Sequence, residues 1–117
     1  MDSNSREAMR RTREEIVEGR RRLRAEYGEL FDEIAALLFQ HDPIGINYDH
    51  NTDEYEVETE TILPRLSGCR SADDVLQVVH EEFVRWFDTV IAGPRERYAE
   101  VSREIWRIFQ QYRRDRQ

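Results

Sequence analysis

The chain has 117 residues with a formal net charge of −7, and charged residues make up 37% of it, against about 25% in an average soluble domain. This length predicts one domain, and no apolar run reaches the ~18 residues that a membrane-spanning helix needs. The first residues lack the apolar stretch of a signal peptide, and the single cysteine, Cys69, excludes an internal disulfide. We therefore expect a cytoplasmic protein with no membrane partner.

Residues 5–40 contain no proline and are rich in helix-forming residues, which predicts one long N-terminal helix. An apolar residue recurs at every seventh position, as in one row of a helical face: Met9, Ile16, Leu23, Leu30 and Leu37. Two glycines within this span, Gly19 and Gly28, are the positions where we expect the helix to bend.

The apolar residues of this helix become denser after Tyr27. We therefore expect residues 27–40 to be a core helix. The predicted organisation is a polar helical arm of residues 1–26 on a single-domain helical body of residues 27–117.

Residues 41–60 break the helical pattern and carry an unusual charge. They hold seven acidic side chains and no basic one, which equals the net charge of the whole chain: Asp42, Asp49, Asp53, Glu54, Glu56, Glu58 and Glu60. The pair Asp42-Pro43 disfavours helix, and Gly45 and the Asn and Asp residues after it favour turns. An irregular acidic loop is predicted here.

Three further helices are predicted after the loop. The first begins near Asp53, a predicted N-cap, and should bend or split at Pro64. The second begins at Ser71 and ends at Gly93, and the third begins at about Arg95. The second has the densest apolar stripe of the sequence: Leu76, Val79, Phe83, Trp86, Phe87 and Val90. The prediction is an all-α fold, a four-helix arrangement with a long N-terminal helix and one irregular acidic loop.

The sequence has no recognisable catalytic pattern. All 18 basic residues are arginine, and each arginine cluster is interleaved with Glu, so we expect no basic face for nucleic acid. A glycine-rich phosphate loop, a Gly-x-Ser-x-Gly turn and a Cys–His pair are all missing. We predict a non-enzymatic protein that uses no cofactor.

Two patterns in the acidic segment suggest a metal site as an alternative. Four residues have the spacing of positions 1, 3, 5 and 12 of a calcium-binding loop: Asp49, Asn51, Asp53 and Glu60. Position 6 of such a loop needs glycine and is Glu54 here, which argues against calcium. A second set combines imidazole and carboxylate groups that suit zinc or iron: His41, Asp42, Asp49, His50 and Glu54.

The same segment carries a longer motif, Asp42-Pro43-Ile44-Gly45-Ile46 followed by Asp53-Glu54-Tyr55 and a short helix. It resembles the YugE-like family of small uncharacterised bacterial proteins. In that family the residue before the Asp-Pro pair is commonly Trp, and here it is His41. The similarity continues through residues 71–87. It implies a small helical fold with no established activity, similar to proteins found beside toxin genes as immunity partners.

These observations favour a protein-interaction module. An acidic loop on a helical scaffold can steer and bind a basic surface of another protein, because complementary charges attract. An immunity-type inhibitor of a basic toxin is the concrete version of this hypothesis. The predicted contact residues all belong to the acidic segment: Asp42, Asp49, Asp53, Glu54 and Glu58.

Two alternatives stay open. The first is a divalent-metal-binding protein or metal-dependent hydrolase that uses the loop of residues 41–54. The second is a structural homo-oligomer, because residues 5–26 bury too little apolar surface to be stable alone. This arm must pack on the last helix or pair with another copy, and we predict a weak homodimer through it.

Overall fold

The structure is a computed structural model, and it describes residues 13–45 and 55–116. Within these ranges the chain forms five α-helices, two short 3₁₀ helices and no β-strand. The α-helices are α1 (Arg13–Tyr27), α2 (Leu30–His41), α3 (Glu56–Ile62), α4 (Ala72–Ala92) and α5 (Ala99–Asp115). The 3₁₀ helices are Leu63–Gly68 after α3 and Arg95–Tyr98 before α5. The all-α prediction is confirmed, whereas the described residues contain one α-helix more than the predicted four.

The predicted long N-terminal helix is divided at Gly28. This residue has φ 62°, in the left-handed region that glycine enters without steric cost. Its amide donates to the carbonyl oxygen of Arg24 at 2.8 Å, which is typical of a helix C-terminus. Gly19, the other predicted bend, lies inside α1. The prediction of one uninterrupted helix is wrong. The spacing of apolar residues in the sequence is the same whether or not the backbone changes the sign of φ at a single glycine.

α2 is the core helix predicted for residues 27–40. Five of its residues are buried: Leu30, Phe31, Ile34, Ala35 and Leu38. In α1, by contrast, Ile16 and Leu23 are only half-buried, and Met9 lies outside the described residues. The apolar row therefore weakens toward the N-terminus, as the sequence predicts for the arm.

α3 is short because of Pro64. The α-helical hydrogen-bond pattern ends at Ile62, and Pro64, near the start of the 3₁₀ helix, has no N–H that could donate to the carbonyl oxygen of Glu60 and continue it. The predicted split at this proline is confirmed. The residue before α3 is Tyr55 and not the predicted N-cap Asp53, which lies outside the described residues.

α4 begins and ends as predicted, at Ser71 and Gly93, but it contains a kink that the sequence did not predict. The Ser71 hydroxyl oxygen accepts a hydrogen bond from the amide of Asp74 at 3.1 Å and caps the helix. Near its other end Asp88 has φ 78° and ψ 172°, a conformation that is rare outside glycine. This kink turns Val90 away from the core and leaves it 88% exposed. Its predicted place in the apolar stripe is therefore wrong.

The core lies where α2, α4 and α5 meet, and α3 closes one side of it. Phe83 of α4 is at its centre, with ring centroids 4.9 Å from Tyr98 and 6.0 Å from Tyr55. Val101, Ile105 and other apolar residues of α5 complete this packing. Among the described residues, none of the helices combines the length and the apolar character needed to cross a membrane.

Candidate functional site

The described ends of the acidic segment are joined by a hydrogen bond. Asp42 caps the C-terminus of α2 in a left-handed conformation, with φ 47°, and its amide donates to Leu38. Aspartate is one of the few residues besides glycine that tolerate this conformation. Its carboxylate accepts a hydrogen bond of 2.6 Å from the hydroxyl of Tyr55, whose side chain is fully buried. The segment between these two residues is therefore closed at its base.

A second contact ties this base to the body. The Arg97 guanidinium donates to three backbone carbonyl oxygens, those of Pro43 at 3.1 Å, Ile91 at 3.2 Å and Ala92 at 3.0 Å. Gly93 lies directly against this guanidinium, and a Cβ built there would come within 2.5 Å of it. Arg97 thus holds the turn after α2 against the connection between α4 and α5.

α3 presents its acidic side chains to α1. Arg20 lies 2.9 Å from Glu56 and 2.9 Å from Glu60, and Arg24 lies 3.5 Å from Glu56. The two arginines are four residues apart on one helix, and so are the two glutamates on the other, which places each pair on one helical face. The side chains of Arg20 and Glu60 are only 20% and 8% exposed. The Arg20–Glu60 pair is therefore better shielded from solvent than an ordinary surface pair, whereas the Arg24 side chain is 40% exposed.

Arg24 links three helices. Besides Glu56 of α3, it contacts Asp32 of α2 at 3.0 Å, and its guanidinium lies 4.8 Å from the centre of the Phe31 ring. The hydrogen bond to Asp32, with added attraction from Glu56 and Glu60, raises the pKa of Arg24 against the opposing effect of burial. Arg24 therefore stays charged, and it fixes the end of α1 next to α2 and α3.

Two of the five predicted contact residues are inside the described ranges, and neither is freely exposed. Asp42 is half-buried and bonded to Tyr55. Glu58 lies on the inner face of α3 and is 4% exposed, so its side chain cannot form the surface that the sequence analysis assigned to it. The other three, Asp49, Asp53 and Glu54, lie outside the described residues.

The described part of the chain contains no assembled metal site that would support the metal-binding alternative. Within residues 13–45 and 55–116, no three His, Cys, Asp or Glu side chains are grouped so that they could hold a metal ion. His41 lies 2.7 Å from Glu104 of α5, and Asp42 is bonded to Tyr55. His50, like Asp49 and Glu54, lies outside these ranges, and Glu60, the last residue of the calcium-like spacing, is paired with Arg20.

Arg20 and Arg24 are the site residues that sequence reasoning missed. The arginine clusters are interleaved with Glu, which is typical of a solvated helix surface and does not single out these two arginines. The sequence contains one signal for this contact. Arg20 and Arg24 are four residues apart, and so are Glu56 and Glu60. Part of the acidic segment thus finds its basic partner within the same chain.

Comparison of this chain with protein-family models, with curated proteins and with solved structures finds no match in any of the three. The similarity to the YugE-like family therefore stays a prediction from the Asp42–Ile46 and Asp53–Tyr55 motif alone.

Proposed function

We propose that the protein is a non-enzymatic interaction module whose acidic segment, residues 41–60, binds arginine side chains of a basic protein partner. The observation that supports this proposal is the pairing of Glu56 and Glu60 with Arg20 and Arg24 at 2.9 to 3.5 Å. The described end of the segment thus already holds two guanidinium groups presented by a helix. An immunity-type inhibitor of a basic toxin is the concrete form of this function.

The acidic residues of the segment that remain as contact residues for a partner are those that precede α3 in the sequence. Glu56 and Glu60 are occupied by α1, Asp42 is bonded to Tyr55, and Glu58 is buried. The proposed contact residues are therefore Asp49, Asp53 and Glu54. The Asp42–Tyr55 bond and the Arg97 contacts support this role because they fix both ends of the loop on the body.

The charge of these contact residues affects binding. Asp49, Asp53 and Glu54, in a stretch without a basic residue, give an attractive field for a positively charged surface. Such fields act mainly on the association rate and are screened by salt. We place the interaction in the cytoplasm, where the free and buried thiol of Cys69 stays reduced.

The test compares Glu54→Arg with the matched control Glu96→Arg, which makes the same charge change at an exposed residue of the second 3₁₀ helix. A partner captured from native cell extract by the unaltered chain is purified, and its association is followed at several salt concentrations. We expect Glu54→Arg to slow association at least tenfold and to flatten its salt dependence, with an unchanged melting temperature. Equal association rates for the two variants would refute the proposal.

A further inference from the structure

The backbone between α1 and α2 is interrupted at one residue only. Gly28 has φ 62°, whereas Glu29, the next residue, is already in the right-handed helical region with φ −72° and ψ −11°. A change of the Gly28 backbone to φ near −63° and ψ near −42° would join the two helices into one. Glycine adopts both conformations, and apart from its chain neighbours no atom lies within 4 Å of the place where a Cβ would be. A one-residue hinge at Gly28 is therefore sterically allowed.

The sequence on both sides of the hinge is compatible with the joined helix. Ile16, Leu23, Leu30 and Leu37 keep their seven-residue spacing across Gly28. A single helix over residues 13–41 would be about 44 Å long at 1.5 Å per residue. In that form α1 would extend away from the body and leave its own α3.

The contacts that hold α1 to the body are of a kind that a second copy can supply. They include the Arg20 and Arg24 pairs with Glu56 and Glu60, the Arg24–Asp32 pair, the packing of Tyr27 on Tyr112 and the packing of Leu23 on the core. All of them join a residue before the hinge to a residue after it. They can therefore form unchanged between two chains when the hinge opens.

We propose that α1 is exchanged between two copies of this chain, so that Arg20 and Arg24 of each copy bind Glu56 and Glu60 of the other. The surface is the acidic face of α3, and the partner is the α1 helix of a second copy. Exchange of an identical element through a short hinge is a known low-cost route to a dimer. This proposal does not depend on the acidic loop binding another protein, because Asp49, Asp53 and Glu54 take no part in it.

Concentration decides between the closed monomer and the exchanged dimer. In the closed form α1 is tethered beside α3, which corresponds to an effective concentration in the millimolar range. The unaltered chain is therefore expected to be monomeric at micromolar concentration and to form dimers only near millimolar concentration. Changing the hinge shifts this balance without touching any contact of α1.

The first experiment substitutes the hinge residue. Gly28→Ala disfavours the left-handed conformation and favours a continuous helix, which we expect to shift each hinge about tenfold toward the open form. Because two hinges open per dimer, the dimer dissociation constant should fall about a hundredfold in sedimentation velocity. Gly28→Asn keeps a residue that tolerates the left-handed region and should stay monomeric. Gly68→Ala, a glycine with free space around it and no positive φ, is the matched control.

The second experiment tests which surfaces meet. In the Gly28→Ala background, Arg20→Glu and Glu60→Arg each place like charges opposite one another, both in the closed monomer and in the exchanged homodimer, so neither variant alone should dimerise more strongly than Gly28→Ala itself. An equal mixture restores both charge pairs only across two chains, so it should form a heterodimer in excess of either homodimer. Circular dichroism of each variant checks that the helices are retained.

Two outcomes would overturn the proposal. One is a Gly28→Ala variant that stays monomeric up to millimolar concentration, whether compact or extended. The other is a mixture of the two charge variants that is no more dimeric than its components. Loss of partner binding by Glu54→Arg is a separate readout, so failure of the proposed function is distinguishable from failure of the exchange.

Discussion

Two helix contacts of this protein are built from opposite chemistry. α4 and α5 meet through fully buried apolar side chains, such as Phe83 and Ile105, with Tyr98 beside them. α1 meets α3 through the paired charges of Arg20 and Glu60, and its own apolar residues are at most half-buried. The first contact removes apolar surface from water, which is the main source of folding free energy. The second is electrostatic and exchanges with solvent more readily.

The difference separates the helices that stabilise the fold, α4 and α5, from the helix that can be displaced, α1. An apolar contact of the α4–α5 kind is insensitive to salt, whereas attraction between partly exposed charges weakens as salt screens it. The stability of the body is therefore expected to be independent of α1 to a first approximation. A helix attached through charge is suited to be displaced or exchanged, and α1 is attached in this way.

The largest expected effect belongs to the apolar contact. Phe83 is fully buried and its ring lies against those of Tyr55, Phe87 and Tyr98. Phe83→Ala should lower the free energy of unfolding by about 3–5 kcal/mol, through lost burial and the cavity left behind. Urea denaturation at two salt concentrations measures it, and the loss should be the same at both.

The control for this variant is Val90→Ala on the same helix. Val90 is 88% exposed beyond the kink at Asp88, so its truncation should change stability by less than about 0.5 kcal/mol. A loss below roughly 1 kcal/mol for Phe83→Ala would mean that the core is not centred on this residue.

An intermediate effect is expected at Tyr55, where apolar and charged chemistry meet. Its ring packs on Phe83, and its hydroxyl donates to the Asp42 carboxylate at the base of the acidic segment. Tyr55→Phe keeps the ring and removes a hydrogen bond to a charged group, which should cost about 1.5–3 kcal/mol in urea denaturation. Tyr112→Phe is the matched control, since its hydroxyl makes only a long contact of 3.4 Å to a backbone carbonyl. Similar losses for both variants would show that the Asp42–Tyr55 bond does not stabilise the base of the loop.

Residues with strong local signals were predictable from sequence. Ser71 as an N-cap, Pro64 as the end of α3 and the buried stripe around Phe83 follow from capping, ring geometry and helical spacing. The Asp42-Pro43 pair predicts the turn after α2, but it does not predict the hydrogen-bond partner of Asp42. Its actual partner, Tyr55, is 13 residues away, and no local rule identifies a partner at that distance.

The misjudged positions depend on a single backbone angle or on a distant contact. Gly28 was predicted as a bend but not as the end of a helix, and Asp88 was predicted as helical; each has a positive φ, and the helical spacing of the sequence continues past both. Glu58 was predicted as a contact residue because it belongs to the acidic segment, yet it lies on the inner face of α3 and is 4% exposed. Arg20 could not be assigned to Glu60 before the fold brought α1 across α3, since 40 residues separate the two.

The smallest expected effect is the one that most directly separates the two contacts. A double-mutant cycle with Arg20→Gln and Glu60→Gln should give a coupling free energy of about 1 kcal/mol at low salt, at the upper end of exposed pairs because both side chains are largely shielded. In 1 M NaCl, where the screening length is about 3 Å, the coupling should decrease by at least half. The outer pair of α1, Arg21 and Glu18, is far more exposed and should show no measurable coupling in the same cycle. A coupling that is insensitive to salt would mean that α1 is held by packing, as α5 is, and that charge does not control its attachment.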